Sequence, residues 1–221
     1  MNPGDQSGLD NFDFRGLNPL VSIGTASDRY AGWLGQVYTA ERYQGRITSR
    51  SHTVGGKSFT EKVLPVESVS EYFDHFRVLE LDFTFYNTLL DDKGNPTPTY
   101  RALNAYALHM PEGGQLLLKV PQMVFARKLR RKEGHEENKN YLNSDIFRER
   151  FYEPAINLMS PWLSGFIFEQ EYQRSAERTP PDDFAGDMDR FFSSIPQDDR
   201  YHVEIRTSAF LTELVFNVLE T

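Results

Sequence analysis

The feature that most constrains this chain is the alternation of apolar and polar residues between Val78 and Tyr86. Its apolar positions are Leu79, Leu81, Phe83 and Phe85, and its polar positions are Glu80, Asp82, Thr84 and Tyr86. Successive side chains of a β-strand point to opposite faces, so this pattern predicts a strand with one apolar and one polar face. Later segments repeat the pattern around Lys119, around Glu169 and Glu171, and around Glu204 and Arg206. The sequence therefore predicts a sheet that carries ionised side chains on one face.

Strand patterns alternate with helix patterns along the chain. We expect strands at residues 20–24, 78–86, 115–120, 165–171 and 202–206. Helix signals separate them: a capping-box spacing from Ser68 to Glu71, Thr97 with Pro98 at a helix start, Ser144-Asp145 capping a helix through Met159, and apolar periodicity at 182–194 and 211–219. Strands that alternate with helices at these spacings predict βαβ units and a parallel sheet, which is the α/β class.

The connections between these elements are unequal in length. Those from a helix to the next strand are short, whereas those from a strand to the next helix are long, at residues 25–67, 87–96, 121–143 and 172–181. Strand-to-helix connections lie at the carboxyl ends of parallel strands, where (β/α) barrels carry their binding loops. We therefore expect the functional site at that edge of the sheet.

Composition narrows the class of protein. Hydrophobic residues make up 39% of the 221 residues, with 17 Phe and 11 Tyr, which is enough apolar surface for a folded core. The formal net charge of −8 disfavours a nucleic-acid partner, because such binding uses Lys and Arg to displace counterions.

Neither a signal-peptide pattern nor a run of about 18 apolar residues occurs, so we expect a soluble cytoplasmic protein without a membrane partner. Residues 1–18 are predicted to form an irregular N-terminal arm before one domain at 19–221.

Four short motifs resemble one protein family. They are Ile23-Gly24-Thr25 with Tyr30 and Trp33 nearby, Leu79-Glu80-Leu81-Asp82-Phe83-Thr84-Phe85-Tyr86, Leu118-Lys119-Val120-Pro121, and Val203-Glu204-Ile205-Arg206. In this order, and over almost the whole chain, they resemble the YecE-like family, the domain of unknown function 72 (DUF72). The resemblance implies a TIM-type (β/α) barrel. It brings no established activity, and a fold by itself does not supply chemistry.

The resemblance also bears on individual positions. Glu80, Tyr86, Lys119, Glu204 and Arg206 match the family's motifs, whereas Asp82 and Glu169 are substitutions within them. Ser27-Asp28 stand where family members tend to have Gly-Trp, and Thr207 stands where they tend to have His. The resemblance therefore carries a family-wide site over to this chain only in part.

The number of predicted units is smaller than a barrel needs. A complete TIM-type barrel takes about 250 residues and eight strands, whereas about five of eight strand-helix units are predicted here. We expect an incomplete barrel whose C-terminal part is missing from this chain. A shortened chain, a longer polypeptide that continues beyond Thr221, and another chain that completes the sheet all remain open. Because an open sheet edge exposes unpaired backbone groups, we expect this piece alone to associate or to be poorly soluble.

The inward-facing charges are the main candidate site. We select Glu80, Lys119, Glu204 and Arg206 as candidate catalytic residues, and Tyr30, Trp33, Tyr86, Asp82 and Glu169 as candidate substrate-binding residues. Carboxylates beside Lys and Arg can shift each other's proton affinity and act as acid and base, or can hold an anion. Loop aromatics can stack on a ligand. The alternative is a lattice of ion pairs that only stabilises a polar interior, with the aromatics anchoring the loops.

A second charged segment lies outside these strands. A basic run at 127–132 is followed at once by Glu133, His135, Glu136 and Glu137. The pattern is typical of a solvated loop that neutralises its own charge, and the alternative is a docking site for a phosphate or polyanion.

Two hypotheses for function remain open, so the sequence does not decide whether the protein is an enzyme. The first is an enzyme of hydrolase, lyase or isomerase type that acts on a small polar or anionic molecule, with Glu80 and Glu204 as acid and base. The second is a non-catalytic barrel that binds a small molecule or a partner. No cofactor can be named, and no metal site is predicted, because the five histidines show no paired spacing and the chain has no cysteine. A solvent-connected pocket that reaches Glu80 and Lys119 would favour the first hypothesis, and a fully paired network the second.

Overall fold

The computed structural model describes residues 13–54, 57–131 and 134–220, without the side chains of residues 52–54 and 130–131. Helices and strands alternate along these ranges, and the central element is a parallel five-stranded sheet. The predicted α/β class is therefore confirmed. No helix in the described ranges is both long and apolar enough to cross a membrane.

Four of the five predicted strands are present with changed limits, whereas the strand predicted at 20–24 is displaced and shares only Gly24 with the observed strand. The strands are β1 (Gly24–Ala26), β2 (Thr48–Val54), β3 (Lys57–Val63), β4 (Val78–Leu81), β5 (Gln115–Lys119), β6 (Lys128–Arg131), β7 (Gly134–Glu137), β8 (Leu163–Gln170) and β9 (Tyr201–Ile205). The five-stranded sheet has the order β1-β4-β5-β8-β9, and β2 with β3 and β6 with β7 form two further sheets. In the parallel pair of β8 and β9, Glu169 lies opposite Glu204. That register brings two of the predicted site residues side by side.

Eight helices cover the intervening segments of the described chain. They are α1 (Ala40–Tyr43), α2 (Val69–Tyr72), α3 (Pro98–Ala107), α4 (Gln122–Phe125), α5 (Ser144–Phe147), α6 (Glu153–Met159), α7 (Pro181–Phe192) and α8 (Glu213–Leu219). A π-helical segment, Arg148–Tyr152, joins α5 to α6. Pro154 accounts for this irregularity, because it has no N–H to donate to the carbonyl of Arg150. That carbonyl instead accepts from the N–H groups of Leu89 at 2.9 Å and Leu90 at 3.0 Å.

The chain divides into two compact units. The first unit consists of Met1–Leu81 with Ala102–Leu116, and the second of Asp82–Arg101 with Leu117–Thr221. The described core of the first unit is aromatic: the ring of Tyr72 stacks on Phe76 at 4.7 Å, and Trp33 lies 6.4 Å from both Tyr38 and Phe76. Large aromatic rings bury enough area to hold a small unit together.

The second unit separates apolar and ionised side chains on opposite faces of its strands. Leu118 and Phe168 are fully buried. The ring of Phe168 lies 5.2 Å from Phe125 on α4, 5.3 Å from Phe147 on α5 and 5.8 Å from Phe191 on α7. The neighbouring residues Lys119 and Glu169 contact each other on the other face. The predicted alternation is therefore confirmed for β5 and β8.

The alternation that opens at Val78 ends earlier than its pattern predicts. Strand β4 stops at Leu81, and Asp82–Phe85 forms a 3₁₀ turn. In the second unit Thr84 is fully buried, and its Oγ1 donates a hydrogen bond of 2.7 Å to the carbonyl of Lys119. The turn, and not a continued strand, places Thr84 where it can make this long-range bond. The prediction of a strand through Tyr86 is therefore wrong beyond Leu81. Phe83 and Phe85 are only half-buried.

Two hairpins replace segments that the sequence pattern assigns to loops. Strands β2 and β3 pair antiparallel across residues 55–56, which lie outside the described residues, and β6 and β7 pair across residues 132–133, which also lie outside them. Lys128 lies opposite Glu137, so the basic half of that segment pairs with its acidic half. Both hairpins are largely exposed, so their sequences lack the apolar alternation by which half-buried strands are recognised. The Gly55-Gly56 dipeptide, a known hairpin signal, could have revealed the first.

Helix caps follow tertiary contacts as much as local spacing. The predicted cap at Thr97 is confirmed, since its Oγ1 accepts from the N–H of Tyr100 at 3.3 Å. The predicted capping box is wrong, because Ser68 makes no cap hydrogen bond and Glu71 accepts from the N–H of Thr39 at 3.1 Å. The helix predicted to start at Ser144 has Asn143 as its cap, with an Oδ1 that accepts from Ile146 at 2.9 Å.

Candidate functional site

Four charged side chains of the second unit meet at the carboxyl ends of three strands. Lys119 is the last residue of β5, Glu169 lies near the end of β8, Glu204 lies near the end of β9, and Arg206 follows β9. All four point to the face of the strands opposite the Phe168 core, because side chains alternate along each strand. We call these four residues the ion-pair ring.

The ring is closed by four contacts. Lys119 Nζ lies 2.6 Å from Glu169 Oε2 and 3.2 Å from Glu204 Oε2. Arg206 Nη1 lies 2.9 Å from Glu169 Oε1, and Arg206 Nε lies 2.8 Å from Glu204 Oε1. Each carboxylate oxygen therefore faces one cation, and two positive charges balance two negative charges.

The ring has a buried half and an exposed half. The side chains of Lys119 and Glu169 are 10% and 9% exposed, whereas those of Glu204 and Arg206 are 38% and 46% exposed. Burial raises the pKa of Glu204, but hydrogen bonds from Arg206 and Lys119 outweigh it, so that the pKa lies below its usual range. Glu204 is therefore ionised at neutral pH and is poorly suited to donate a proton.

Backbone contacts hold the ring in place. The carbonyl of Lys119 accepts from Thr84, and Gln170 Oε1 accepts from the backbone N–H groups of Arg206 at 3.2 Å and Thr207 at 3.0 Å. Gln170 is itself 1% exposed. The start of the loop after β9, and with it the side chain of Arg206, is thus fixed by a buried amide.

A cavity of about 580 Å³ opens at the same ends of the strands. Its wall is formed by Phe85, Gln122, Ala126, Arg127, Lys128, His135, Glu171, Tyr172, Gln173, Arg174, Glu177 and Arg206. Arg206 is the member of the ion-pair ring that reaches it. A larger cavity of about 900 Å³ in this unit lies beside Tyr201 and Val218 and contains none of the predicted site residues.

Glu171 is a cavity residue that the sequence did not single out as a site. Its Oε1 accepts from the N–H of Arg127 at 3.0 Å and from Gln173 Nε2 at 3.3 Å. Burial raises the pKa of its carboxyl above the usual range, although these hydrogen bonds and the charge of Arg127 oppose the shift. Its position directly after a strand, at an edge where long loops gather, was the available signal.

The other predicted residues lie in different parts of the described structure. Asp82 is exposed on the 3₁₀ turn, and Tyr86 is 65% exposed with its ring edge against Phe85 at 5.7 Å. Glu80 belongs to the first unit, where its carbonyl accepts from the N–H of Ser27 at 3.0 Å.

Tyr30 and Trp33 also belong to the first unit. Their rings meet edge to face at 5.9 Å, and Trp33 continues into the aromatic core. Tyr30 is 52% exposed. The packing of Trp33 matches the alternative in which these aromatics anchor a loop.

The first unit contains a different ionisable centre, which the sequence did not identify. Asp28 is 1% exposed, and its Oδ1 accepts a hydrogen bond of 2.7 Å from the hydroxyl of Tyr106. Its Oδ2 has no hydrogen-bond partner among the described residues, and its carbonyl accepts from the hydroxyl of Tyr38. Burial raises the pKa of Asp28 to about 6, against the opposing effects of Tyr106 and Arg29.

The fold and these contacts define an α/β protein with a parallel sheet, an ion-pair ring and a charged cavity at the strand ends. Within the described ranges, no group of three or more histidine or carboxylate side chains could hold a metal ion. No family model matches the chain, and no curated protein matches it.

Two solved structures, both of a DUF72 family protein from Enterococcus faecalis, are similar to this chain. The first is 14% identical over 72% of this chain and 49% of that chain, and the second is 16% identical over 69% and 53%. Both have a TM-score of 0.40. DUF72 is the family that the four strand motifs resemble. The chain spans about half the length of the solved chains that it matches.

Proposed function

We propose that the second unit binds a small anionic molecule in the cavity at the ends of its strands. The observation that carries this proposal is the charge of the cavity wall. The wall contains four cationic side chains, Arg127, Lys128, Arg174 and Arg206, against two carboxylates, Glu171 and Glu177. Three of these cations have carboxylate partners: Arg206 in the ion-pair ring, Lys128 with Glu177, and Arg127 with Asp187 at 3.8 Å. Arg174 is the cation of the wall that remains to attract an anion into this concave site.

Arg174 supports the proposal most directly. Its side chain is exposed at the cavity, and it makes no hydrogen bond or ion pair with the residues that the structure describes. Arg127 donates to Thr179 Oγ1 at 2.9 Å, and Lys128 pairs with Glu177. An anion in the cavity would therefore meet Arg174 as an uncommitted donor, and arginine binds carboxylate, sulfate and phosphate oxygens well.

In this proposal the ion-pair ring supports the binding site and does not transfer protons. Each of its carboxylate oxygens faces a cation, and the lowered pKa of Glu204 keeps that carboxyl ionised. This pairing of every ring carboxylate with a cation supports the hypothesis of a non-catalytic binding protein more than the hypothesis of acid–base catalysis by Glu204. The ring holds Arg206 with its charge at the cavity wall.

Sulfate titration of the whole chain by calorimetry tests the proposal. Sulfate is a suitable probe because it stays doubly charged between pH 5 and 9, and the ionic strength is kept constant to fix screening. We expect weak binding by the wild-type chain and about a tenfold loss of affinity in Arg174→Gln, equivalent to one charge-assisted contact.

The matched control is Arg77→Gln. Arg77 is exposed, does not line the cavity and makes no side-chain contact in the structure as described, so the substitution changes the net charge equally. Equal losses in both variants would mean that sulfate responds only to net charge. That outcome, or an absence of sulfate binding by the wild-type chain, would contradict the proposal.

A further inference from the structure

Glu171 is a negative side chain in the wall of a cavity that otherwise favours anions. It follows β8 directly. Its backbone is tied to the loop after β9, because Thr207 Oγ1 donates to the carbonyl of Glu171 at 3.4 Å and accepts from the N–H of Gln173 at 2.9 Å. Gln173 in turn donates to Glu171 Oε1 and accepts from the N–H of Thr179 at 3.0 Å. The carboxyl is therefore held in one place and cannot swing away from an incoming anion.

The two oxygens of this carboxyl differ. Oε1 accepts hydrogen bonds from the N–H of Arg127 and from Gln173 Nε2, whereas Oε2 accepts none from the described part of the chain. A proton on Oε2 would convert that oxygen from an acceptor into a donor. In that state it could donate to an oxygen of the bound anion.

We propose that binding of an oxyanion in this cavity is coupled to the uptake of one proton by Glu171. The inference rests on the proposed function. An ionised Glu171 repels an anion in a half-buried wall, and a protonated one removes that repulsion and adds a hydrogen bond. The ligand class is therefore an oxyanion with acceptor oxygens, such as a sulfate, phosphate or carboxylate group.

Charged and titratable groups from every neighbouring element face Glu171 or the cavity. They are Arg127, Lys128, His135, Tyr141, Tyr172, Arg174, Glu177, Asp187 and Arg206. Lysine and arginine keep their charge between pH 5 and 8, and tyrosine stays neutral. Asp187 is ion-paired with Arg127 and Arg190, and the hydrogen bond from Lys128 holds the pKa of Glu177 below its usual range. Glu171 and His135 are therefore the groups whose protonation must be separated.

Sulfate calorimetry between pH 5.5 and 8.5 separates them, because sulfate itself does not titrate there. In the wild-type chain we expect affinity to fall as the pH rises, by up to about tenfold per pH unit for one coupled proton. Repeating the titration in buffers with different ionisation enthalpies counts the protons taken up. Glu171→Gln imitates the protonated carboxyl, so it should bind sulfate about tenfold more tightly than the wild-type chain at pH 8.

Two further variants serve as controls. Glu177→Gln removes the same charge from the same cavity wall at a carboxyl that stays ionised, so it should raise affinity at every pH and keep the pH dependence. His135→Asn removes the histidine, and the pH dependence should persist in it. Circular dichroism melts confirm that each variant is folded before titration.

The outcomes distinguish this inference from the proposed function. A pH dependence that persists in Glu171→Gln, or one that disappears in His135→Asn, would overturn the proton coupling while leaving anion binding intact. Sulfate binding that is absent at every pH, or unaffected by Arg174→Gln, would overturn the proposed function and the coupling with it.

Discussion

The two units bury carboxylates in opposite ways. In the second unit Glu169 is buried between two cations, Lys119 and Arg206, at 2.6 and 2.9 Å. In the first unit Asp28 is buried with no cation in hydrogen-bond contact among the described residues, and the side-chain donor to its carboxyl is the hydroxyl of Tyr106. Charge pairing can offset the cost of removing a carboxylate from water, whereas a neutral hydroxyl offsets only part of it.

Because of this difference, the stability of the two units responds to different changes: substitution in the ion-pair ring and pH at Asp28. The ion-pair ring is most sensitive in its buried half, because removing Lys119 leaves the buried Glu169 without its nearest cation. The Asp28 centre depends on pH, because burial raises its pKa to about 6 and the carboxyl changes charge near neutrality. Four predictions test this contrast.

The largest effect is expected for Lys119→Met. The side chain of Lys119 is 10% exposed and lies between Glu169 and Glu204, so its removal leaves two carboxylates with Arg206 alone. Breaking a buried pair from one side costs about 3 to 5 kcal/mol of the free energy of unfolding. Urea denaturation at pH 7 measures this loss.

A double variant controls for the lost packing of Lys119. Lys119→Met with Glu169→Gln removes one charge of each sign and leaves Arg206 paired with Glu204. We expect the double variant to be less destabilised than Lys119→Met alone, because neighbouring charges couple. An unchanged denaturation midpoint in Lys119→Met would mean that water already compensates these charges.

The second effect concerns the pH dependence of stability in the first unit. The pKa of Asp28 rises from 3.8 to about 6 on folding, so the folded state holds the proton more tightly than the unfolded state. Between pH 4 and 6 the folded chain binds more protons, and the contribution of Asp28 to stability therefore falls as the pH rises. The contribution of Asp28 to the free energy of unfolding is therefore about 3 kcal/mol larger below pH 4 than above pH 6.

Asp28→Asn isolates this contribution from all other carboxyls. The difference in unfolding free energy between the variant and the wild-type chain should grow in favour of the variant as the pH rises from 4 to 7. Glu204, with its lowered pKa, acts with the opposite sign but is common to both chains. A difference that does not change with pH would show that Asp28 titrates normally.

A smaller effect is expected for Tyr106→Phe. Tyr106 is 3% exposed, and the substitution keeps its ring while removing the donor to Asp28 Oδ1. A hydrogen bond to a charged group contributes about 1.5 to 3 kcal/mol, so we expect a loss near the lower figure at pH 8. The loss should shrink at pH 5, where Asp28 is protonated in most molecules, and equal losses at both values would contradict this account.

The smallest effect on stability is expected for Arg206→Met. Arg206 belongs to the same ring as Lys119, but its side chain is 46% exposed, so water replaces much of its interaction with Glu169 and Glu204. Exposed ion pairs contribute up to about 1 kcal/mol. A loss as large as that of Lys119→Met would show that the ring is buried throughout.

The sequence by itself determined the α/β class and the grouping of the ring. The alternation around Lys119, Glu169, Glu204 and Arg206 placed these residues on one face of their strands, because the side-chain period of a strand is two. The long strand-to-helix connections also indicated the edge at which the cavity opens. These inferences hold because they depend on local periodicity and chain order.

Only the tertiary structure decided the remaining features. The register that sets Glu169 opposite Glu204, the turn at Thr84 and the hydrogen bonds of Glu71 all depend on residues far apart in the chain. In the sequence, nothing distinguishes Asp28 from an ordinary polar loop residue. In the structure it is buried in contact with Tyr38 and Tyr106. A carboxyl's proton affinity depends on its surroundings in space, and sequence spacing does not record those surroundings.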